Sequence, residues 1–190
     1  MARRKKLTAS WLRKIGVPAV LIPGMIVAAA LGWTGWQRLG PKYTQSFPTS
    51  GIVQIVIDGD TFEIAGNTIR LLGVNAPDRG NKGDEEGKEG LDKLINSKKV
   101  WLEYDRYQDD KYGRILAWVW INCERTPVFL PADYMHLTYN SSYPGLAKNP
   151  PGCLKGKLVQ EELLKKKLVE IELFKDRGEL KYQQRLQRIN

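Results

Sequence analysis

Between positions 52 and 78 the chain alternates apolar runs with compact polar breaks. One run closes on Asp58-Gly59-Asp60-Thr61, a turn follows at Ala65-Gly66-Asn67, and a second run closes on Asn75-Ala76-Pro77-Asp78. The pattern predicts strands at about 52–57, 61–64 and 68–74. Residues 81–87, rich in Gly and charge, predict a loop, and Leu91, Leu94 and Ile95 predict a helix over 88–97. Two more strands are expected at 100–104 and 114–121, the second apolar on both faces, as in a strand covered by helices. Leu158, Val159, Leu163, Leu164 and Leu168 predict a helix over 158–168, and Leu180, Leu186 and Ile189 a short one over 179–189, after a break at Gly178. The order β-β-β-α-β-β-α-α suits an α+β, mainly β domain, a five-stranded OB-type barrel with about three helices.

Before this domain the pattern is different. Residues 15–37 hold no charged side chain, and 23 residues of helix span about 34 Å, enough to cross a bilayer core. Arg3, Arg4, Lys5, Lys6, Arg13 and Lys14 precede the run and predict a cytoplasmic tail over 1–14 by the positive-inside rule. An uncleaved transmembrane anchor is expected. The alternative is a signal sequence cleaved near Ala28-Ala29-Ala30, and both readings export the rest. Residues 38–50, polar with Gly40-Pro41 and Pro48, read as a linker to a domain over 51–190. The formal net charge of +9 belongs mostly to the N-terminal part: residues 1–50 carry eight basic side chains and no acid, against 22 basic and 21 acidic in the rest. Any affinity of the domain for a polyanion must come from local clustering.

The polar breaks carry the candidate chemistry. A lone Asp-Gly-Asp is compatible with a solvated hairpin turn. Arg70, however, stands between Ile69 and Leu71 on a run that otherwise reads as core, and a guanidinium there needs a carboxylate or a phosphate.

The segments IDGDT, IRLLGVNAPD and DKYGR (positions 110–114) resemble, in order and rough spacing, the signature segments of the staphylococcal-nuclease-like (thermonuclease) family over about residues 51–182. The resemblance implies a Ca²⁺ site with Asp60 and Asn75 as side-chain ligands, the backbone carbonyl of Ala76 as a third oxygen, and Asp58 in support behind them. It also implies Asp78 as general base, Arg70 and Arg114 against the phosphate, and Lys111 and Tyr112 in contact with substrate. For the last two, a solvated hairpin tip is the competing reading. Two positions depart from the family pattern. Asn75 stands where the best-known member has Asp, which removes a negative charge from the metal site, and Asp78 stands where Glu is usual, which shortens the reach of the base.

Residues 123–156, rich in Pro, Tyr and Asn, interrupt the resemblance where the family has a tight turn, and this insertion could overhang the Arg114 side of the site. The only two cysteines, Cys123 and Cys153, stand at its ends. In an exported chain they suggest a disulfide, with two unrelated thiols as the alternative. His136, the only histidine, has no companion for zinc. The acidic stretch 105–110 reads as a solvated loop, Lys165-Lys166-Lys167 as a solvated helix face, and Trp101, Trp118 and Trp120 as core. The N-terminal run predicts an exported, membrane-anchored chain, expected as a monomer, and the resemblance implies a Ca²⁺-dependent nuclease that prefers single-stranded DNA or RNA and leaves 3′-phosphate ends. The alternative is a tethered, non-catalytic OB-type module that binds nucleic acid. A purely structural domain leaves Arg70 unexplained.

Overall fold

Where one strand is expected at about 52–57, the chain forms two: β1 (Ser50–Ile52) and β2 (Ile55–Asp58), parted at Val53 and Gln54. The amides of those two residues bond outward in different directions, to Lys98 O (3.1 Å) and Glu63 O (3.0 Å). One bent run therefore serves two neighbours. β2 pairs with β3 (Thr61–Ile64), and β3 with β4 (Asn67–Leu71), through a two-residue turn in which Ala65 and Gly66 both have positive φ. Such a turn matches the twist of the strands it joins. The structure is a computed structural model and describes residues 47–135, 143–173 and 178–189. The expected tail, anchor or signal segment and most of the linker, together with His136, lie outside the described residues. No helix among the described residues is long and apolar enough to cross a membrane.

After the short β5 (Val74–Asn75), helix α1 (Asp84–Ile95) leads to β6 (Lys99–Glu103) and β7 (Ile115–Ile121). The sheet order is β1-β6-β7-β4-β3-β2, with β8 (Lys157–Leu158) also on β7. Its first and last members are the two pieces of the same bent run, so five runs of chain carry the path. Every pairing is antiparallel except β4 with β7. β7 is buried at all seven positions, as its two-faced apolar pattern predicts. Helices α2 (Val159–Lys165) and α3 (Gln183–Gln187) complete a mainly sheet α+β fold with three helices among the described residues.

The strand expected at 68–74 breaks at Leu72 and Gly73, where Gly73 has positive φ, into β4 and β5, and three helix boundaries also differ from the sequence expectation. α1 begins at Asp84, inside the expected loop. Asp84, Glu85 and Glu86 sit in its first turn, where acidic charge complements the helix dipole. Its glycines serve close packing rather than a loop: a Cβ on Gly90 would lie 2.1 Å from Leu168 Cδ1. α2 stops at Lys165 rather than 168, because Lys167 turns left-handed (φ 57°) and the amides of Lys167 and Leu168 bond back to Leu164 O and Leu163 O at 2.8 and 3.1 Å. The chain then forms β9 (Glu170–Ile171) against β5, a pairing with no sequence signal. α3 is shorter than the expected 179–189.

Beneath β7 lies a buried polar network. Glu103 accepts from Trp120 Nε1 (3.1 Å), Tyr182 Oη (2.8 Å) and Lys181 Nζ (3.2 Å). Asp105, expected to be solvated, is instead fully buried and accepts from Trp118 Nε1 (3.1 Å) and the Lys181 amide (2.8 Å). The tryptophans of β7 are core residues whose indole N–H groups need acceptors, and the two acids supply them. Cys123 and Cys153 are joined as a disulfide with Cα atoms 4.1 Å apart, closing the insertion at its base. The described part of the insertion is fastened to the C-terminal segment: Lys181 Nζ donates to Leu130 O at 2.9 Å and Arg185 Nη1 to Asn149 Oδ1 at 3.1 Å.

Candidate active site

The β3–β4 register brings the first two candidate residues together. Thr61 pairs with Arg70, so Asp60, one step before Thr61, faces the guanidinium across the hairpin. Asp60 is 3% exposed, and both its oxygens are engaged. Oδ1 lies 2.5 Å from Arg70 Nη1 and accepts from Thr61 Oγ1 at 2.8 Å, while Oδ2 accepts from the Ala76 amide at 2.9 Å. The turn can lie this close because residue 59 is glycine. A Cβ there would stand 2.7 Å from Ala76 Cβ and 3.1 Å from the Gly87 carbonyl carbon of α1. Asp58 accepts from the Asp60 amide at 3.2 Å, and burial, then the neighbouring Asp60 charge, raises its pKa above the ordinary carboxylate value. It thus supports the Asp60 turn from behind.

Asn75 reaches the same place from β5. Its Oδ1 accepts from Arg70 Nη2 at 2.7 Å, and the same nitrogen donates to Glu172 Oε2 at 3.0 Å. Arg70 is therefore held by Asp60, Asn75 and Glu172. Burial alone would lower its pKa, but Asp60 and Glu172 outweigh burial and raise it above its ordinary value. Sequence reasoning missed Glu172. It follows a two-residue strand that has no periodicity, and only the pairing of that strand with β5 reveals where it lies.

Arg114 enters beside Arg70 because β4 and β7 run parallel with Ile69 opposite Ile115. Its Nε donates to Asp110 Oδ2 at 2.7 Å, and no terminal nitrogen of Arg114 has a protein partner among the described residues. Burial would raise the Asp110 pKa, but the bonds from the Arg114 side chain and from the Arg114 and Tyr112 amides hold it below the usual carboxylate range. Tyr112 is 70% exposed, with Lys111 Nζ 4.9 Å and Arg114 Cζ 5.3 Å from its ring centre. Arg70, Arg114, Asp78, Lys111 and Tyr112 line one open cavity of about 570 Å³, with Asp60, Asn75 and Ala76. Asp78 is exposed at its edge. Arg79, which sequence reasoning did not single out, also lines it. The structure thus brings every expected site residue to one cleft. No described residue of the 123–156 insertion lines it, and the described part is bonded to the C-terminal segment instead; residues 136–142 lie outside the described residues.

Among the described residues, no group of three or more His, Cys, Asp or Glu is placed to hold a metal ion. The donors that do converge, the Asp60 carboxylate and the Asn75 amide oxygen, are hard oxygens of the kind Ca²⁺ accepts, with one negative charge rather than two. Asp60 Oδ1 and Asn75 Oδ1 both accept from Arg70, so the residues suit such an ion in chemistry, and it would compete with the guanidinium for these two oxygens.

A mainly sheet α+β domain with two arginines and several carboxylates in one open cleft defines the class. The family model described as staphylococcal nuclease homologue matches residues 68–189, more than half the chain, and the chain belongs to that family. The match starts after the Asp58-Gly59-Asp60 turn and includes the insertion. Similar curated proteins include a thermonuclease of Staphylococcus intermedius, 39% identical over 94 residues, covering 44% of this chain and 56% of that protein. Another is a thermonuclease of Staphylococcus hyicus, 37% identical over 79 residues, 36% of this chain and 47% of that protein. A third is the endonuclease YncB of Bacillus subtilis (strain 168), 35% identical over 77 residues, 35% of this chain and 36% of that protein. The chain thus spans only about a third to just over half the length of these relatives.

Proposed function

We propose that this domain is a nuclease that hydrolyses phosphodiester bonds of single-stranded or unpaired DNA and RNA. The observation that supports it most is the delivery of Arg70, on β4, and Arg114, the residue before the adjacent strand β7, to one cleft. Two forked donors side by side suit the equatorial oxygens of a phosphate as charge grows on them. Arg114 is aligned by Asp110 through Nε, which keeps its terminal nitrogens for substrate.

In the proposed reaction Asp78 takes a proton from a water molecule at the rim, the water oxygen forms a bond to phosphorus, and the bond from phosphorus to the 5′ oxygen breaks. The leaving oxygen takes a proton from solvent. The products are a 3′-phosphate and a 5′-hydroxyl. Asp60, Asn75 and the Ala76 carbonyl would hold Ca²⁺, which supplies positive charge against the phosphate oxygens. Tyr112 offers an exposed ring at the mouth of the cleft, where an unpaired base can stack and a paired one cannot.

The proposal places the domain outside the cytoplasm, as a monomer tethered by residues 15–37 or released after their cleavage. Two features support this: the charge-free N-terminal run, and a disulfide of the kind that persists in oxidising compartments. The test is cleavage of denatured DNA by the full chain in detergent, with Ca²⁺ or with chelator. Ca²⁺-stimulated release of 3′-phosphate ends is expected. Binding of single strands with no cleavage would replace the nuclease with the non-catalytic binding module.

A further inference from the structure

Arg70 has three side-chain acceptors, and two of them are oxygens that the proposed nuclease site assigns to the cation. Asp60 Oδ1 lies 2.5 Å from Nη1, and Asn75 Oδ1 lies 2.7 Å from Nη2. The third acceptor, Glu172 Oε2, lies 3.0 Å from the same Nη2 and comes from 102 positions further along the chain. A guanidinium and a divalent cation are competitors for these oxygens, because both are positive and both need the same carboxylate and amide lone pairs. A cation that takes Asp60 and Asn75 leaves Arg70 with one partner and puts a like charge beside it. Without another anchor, Arg70 either swings out of the cleft or keeps its hold and excludes the ion. In either case the arginine and the cation are not available together.

Glu172 is fixed where it can prevent this. Its amide donates to Gly73 O at 3.0 Å, directly after the ladder in which Asn75 pairs with Glu170 and Val74 with Ile171. The two short strands that deliver Asn75 therefore deliver Glu172 as well. Its side chain is 35% exposed, against 12% for Arg70. It meets the guanidinium through Nη2, whereas Asp60 holds Nη1.

We propose that Glu172 is a positioning residue that retains Arg70 on the wall of the cleft when Asp60 and Asn75 turn to a cation, so that the ion and the arginine act on one phosphate. This rests on the reading of the cleft as a cation-dependent nuclease site. Glu172 acts through Arg70 and does not itself bind the ion. It also supplies the negative charge that Asn75 withholds, but to the arginine rather than to the metal.

The test is calorimetric titration of Ca²⁺ into the full-length protein in detergent, for wild type, Glu172→Ala, Arg70→Ala and the double variant. Glu172→Ala leaves Arg70 only the two ligand oxygens to hold, so Ca²⁺ affinity is expected to fall about fivefold to tenfold. Arg70→Ala removes the competitor and should tighten binding. On that background Glu172→Ala should change affinity by less than about twofold, the size expected of uncoupled positions. Glu172→Gln, nearly isosteric and still an acceptor, should lie between wild type and Glu172→Ala, and stands in for it if the alanine variant does not fold. Equal weakening in both backgrounds would make Glu172 a ligand and overturn the positioning role. So would a Glu172→Ala protein that binds Ca²⁺ as wild type does. A wild-type protein that takes up no Ca²⁺ would instead overturn the cation-dependent reading, and this proposal with it.

Discussion

Asp110 grips Arg114 at two points and the turn before it at a third: Oδ2 accepts from Arg114 Nε at 2.7 Å, and Oδ1 accepts from the Arg114 and Tyr112 amides at 3.0 and 2.9 Å. One carboxylate thus shapes the turn and aims the guanidinium that follows it. Arg114→Ala is expected to slow cleavage of denatured DNA by about 10²- to 10³-fold, the usual cost of losing one donor to a developing oxyanion. Asp110→Ala should cost about tenfold through misorientation alone. Combining the two should be no worse than Arg114→Ala, since the second change then removes only an aim with nothing to aim. Steady-state rates of the three variants check this. Because Arg114 holds the Asp110 pKa below its unfolded value, the contact is intact above the unfolded value near 3.8 and is lost as pH falls through the folded one. Arg114-dependent activity should therefore disappear on the acid side only.

Asn75→Asp and Asp78→Glu should act on different parameters. The first adds a charge to the oxygen that Arg70 Nη2 now holds at 2.7 Å, which strengthens both Arg70 and Ca²⁺ as claimants. A divalent ion gains more from that charge than a monovalent guanidinium does, so the Ca²⁺ concentration for half-maximal rate should fall. The second adds a methylene to an exposed base and should raise turnover at saturating Ca²⁺. Titrating activity against Ca²⁺ separates the two. An unchanged half-maximal concentration in Asn75→Asp would remove Asn75 from the ligand set.

That Arg70 needs an anion was legible, because a guanidinium stands between Ile69 and Leu71 on an apolar run, but that the anion is Asp60 follows only from the β3–β4 register. Arg114 was singled out by the resemblance of the DKYGR segment at 110–114 to the family, not by any local pattern. Glu172 was not, since a two-residue strand carries no period and its partner lies about a hundred positions away. The start of α1 was hidden for a different reason. Gly87 resembles a loop residue, whereas its role is to let the helix approach Gly59 and the Leu168 carbonyl, and no local pattern reveals what a glycine packs against. Asp105 was misread because its partners, Trp118 and Lys181, come from distant segments.

The full-length chain should sediment with membranes at its uncleaved mass, given 23 uncharged residues at 15–37 after a basic tail. Recovery of a soluble form beginning near Leu31 would replace the anchor with a cleaved signal sequence. Mass spectrometry of the two fractions distinguishes them.

No free thiol should be found in denatured, unreduced protein, because Cys123 and Cys153 are bonded. Chain entropy for a closed loop of this size is worth about 3–4 kcal/mol, so reduction should lower the denaturant midpoint markedly. Deleting residues 124–152 should also destabilise the domain, as Lys181 and Arg185 lose acceptors in Leu130 and Asn149. No described residue of the insertion lines the cleft, so the ratio of duplex to single-strand cleavage should stay unchanged. A shifted ratio would restore the insertion to the substrate path.

Lys181 and Glu103 form a buried ion pair, 0% and 1% exposed, and the pair ties the C-terminal segment to β6 and to the insertion. Burial raises the Glu103 pKa, with Lys181, Tyr182 and Trp120 acting in the opposite direction without cancelling it. A folded carboxyl that holds its proton more tightly than the unfolded one, near 4.5, contributes stability that is present below that value and lost as pH rises through the folded one. Glu103→Gln should therefore flatten stability on the alkaline side of about 4.5, measured as denaturant midpoint against pH. Lys181→Met should do the reverse. It leaves a buried carboxylate without its cation, a loss of about 3–5 kcal/mol that grows with pH over the same window. Tyr182→Phe, which removes one donor and keeps the ring packed on Trp118 and Trp120, should cost about 1–3 kcal/mol. If Lys181→Met proves as stable as wild type at neutral pH, the pair contributes nothing to holding the C-terminal segment. The anchoring of that segment would then rest on apolar contacts of Leu180 and Leu186.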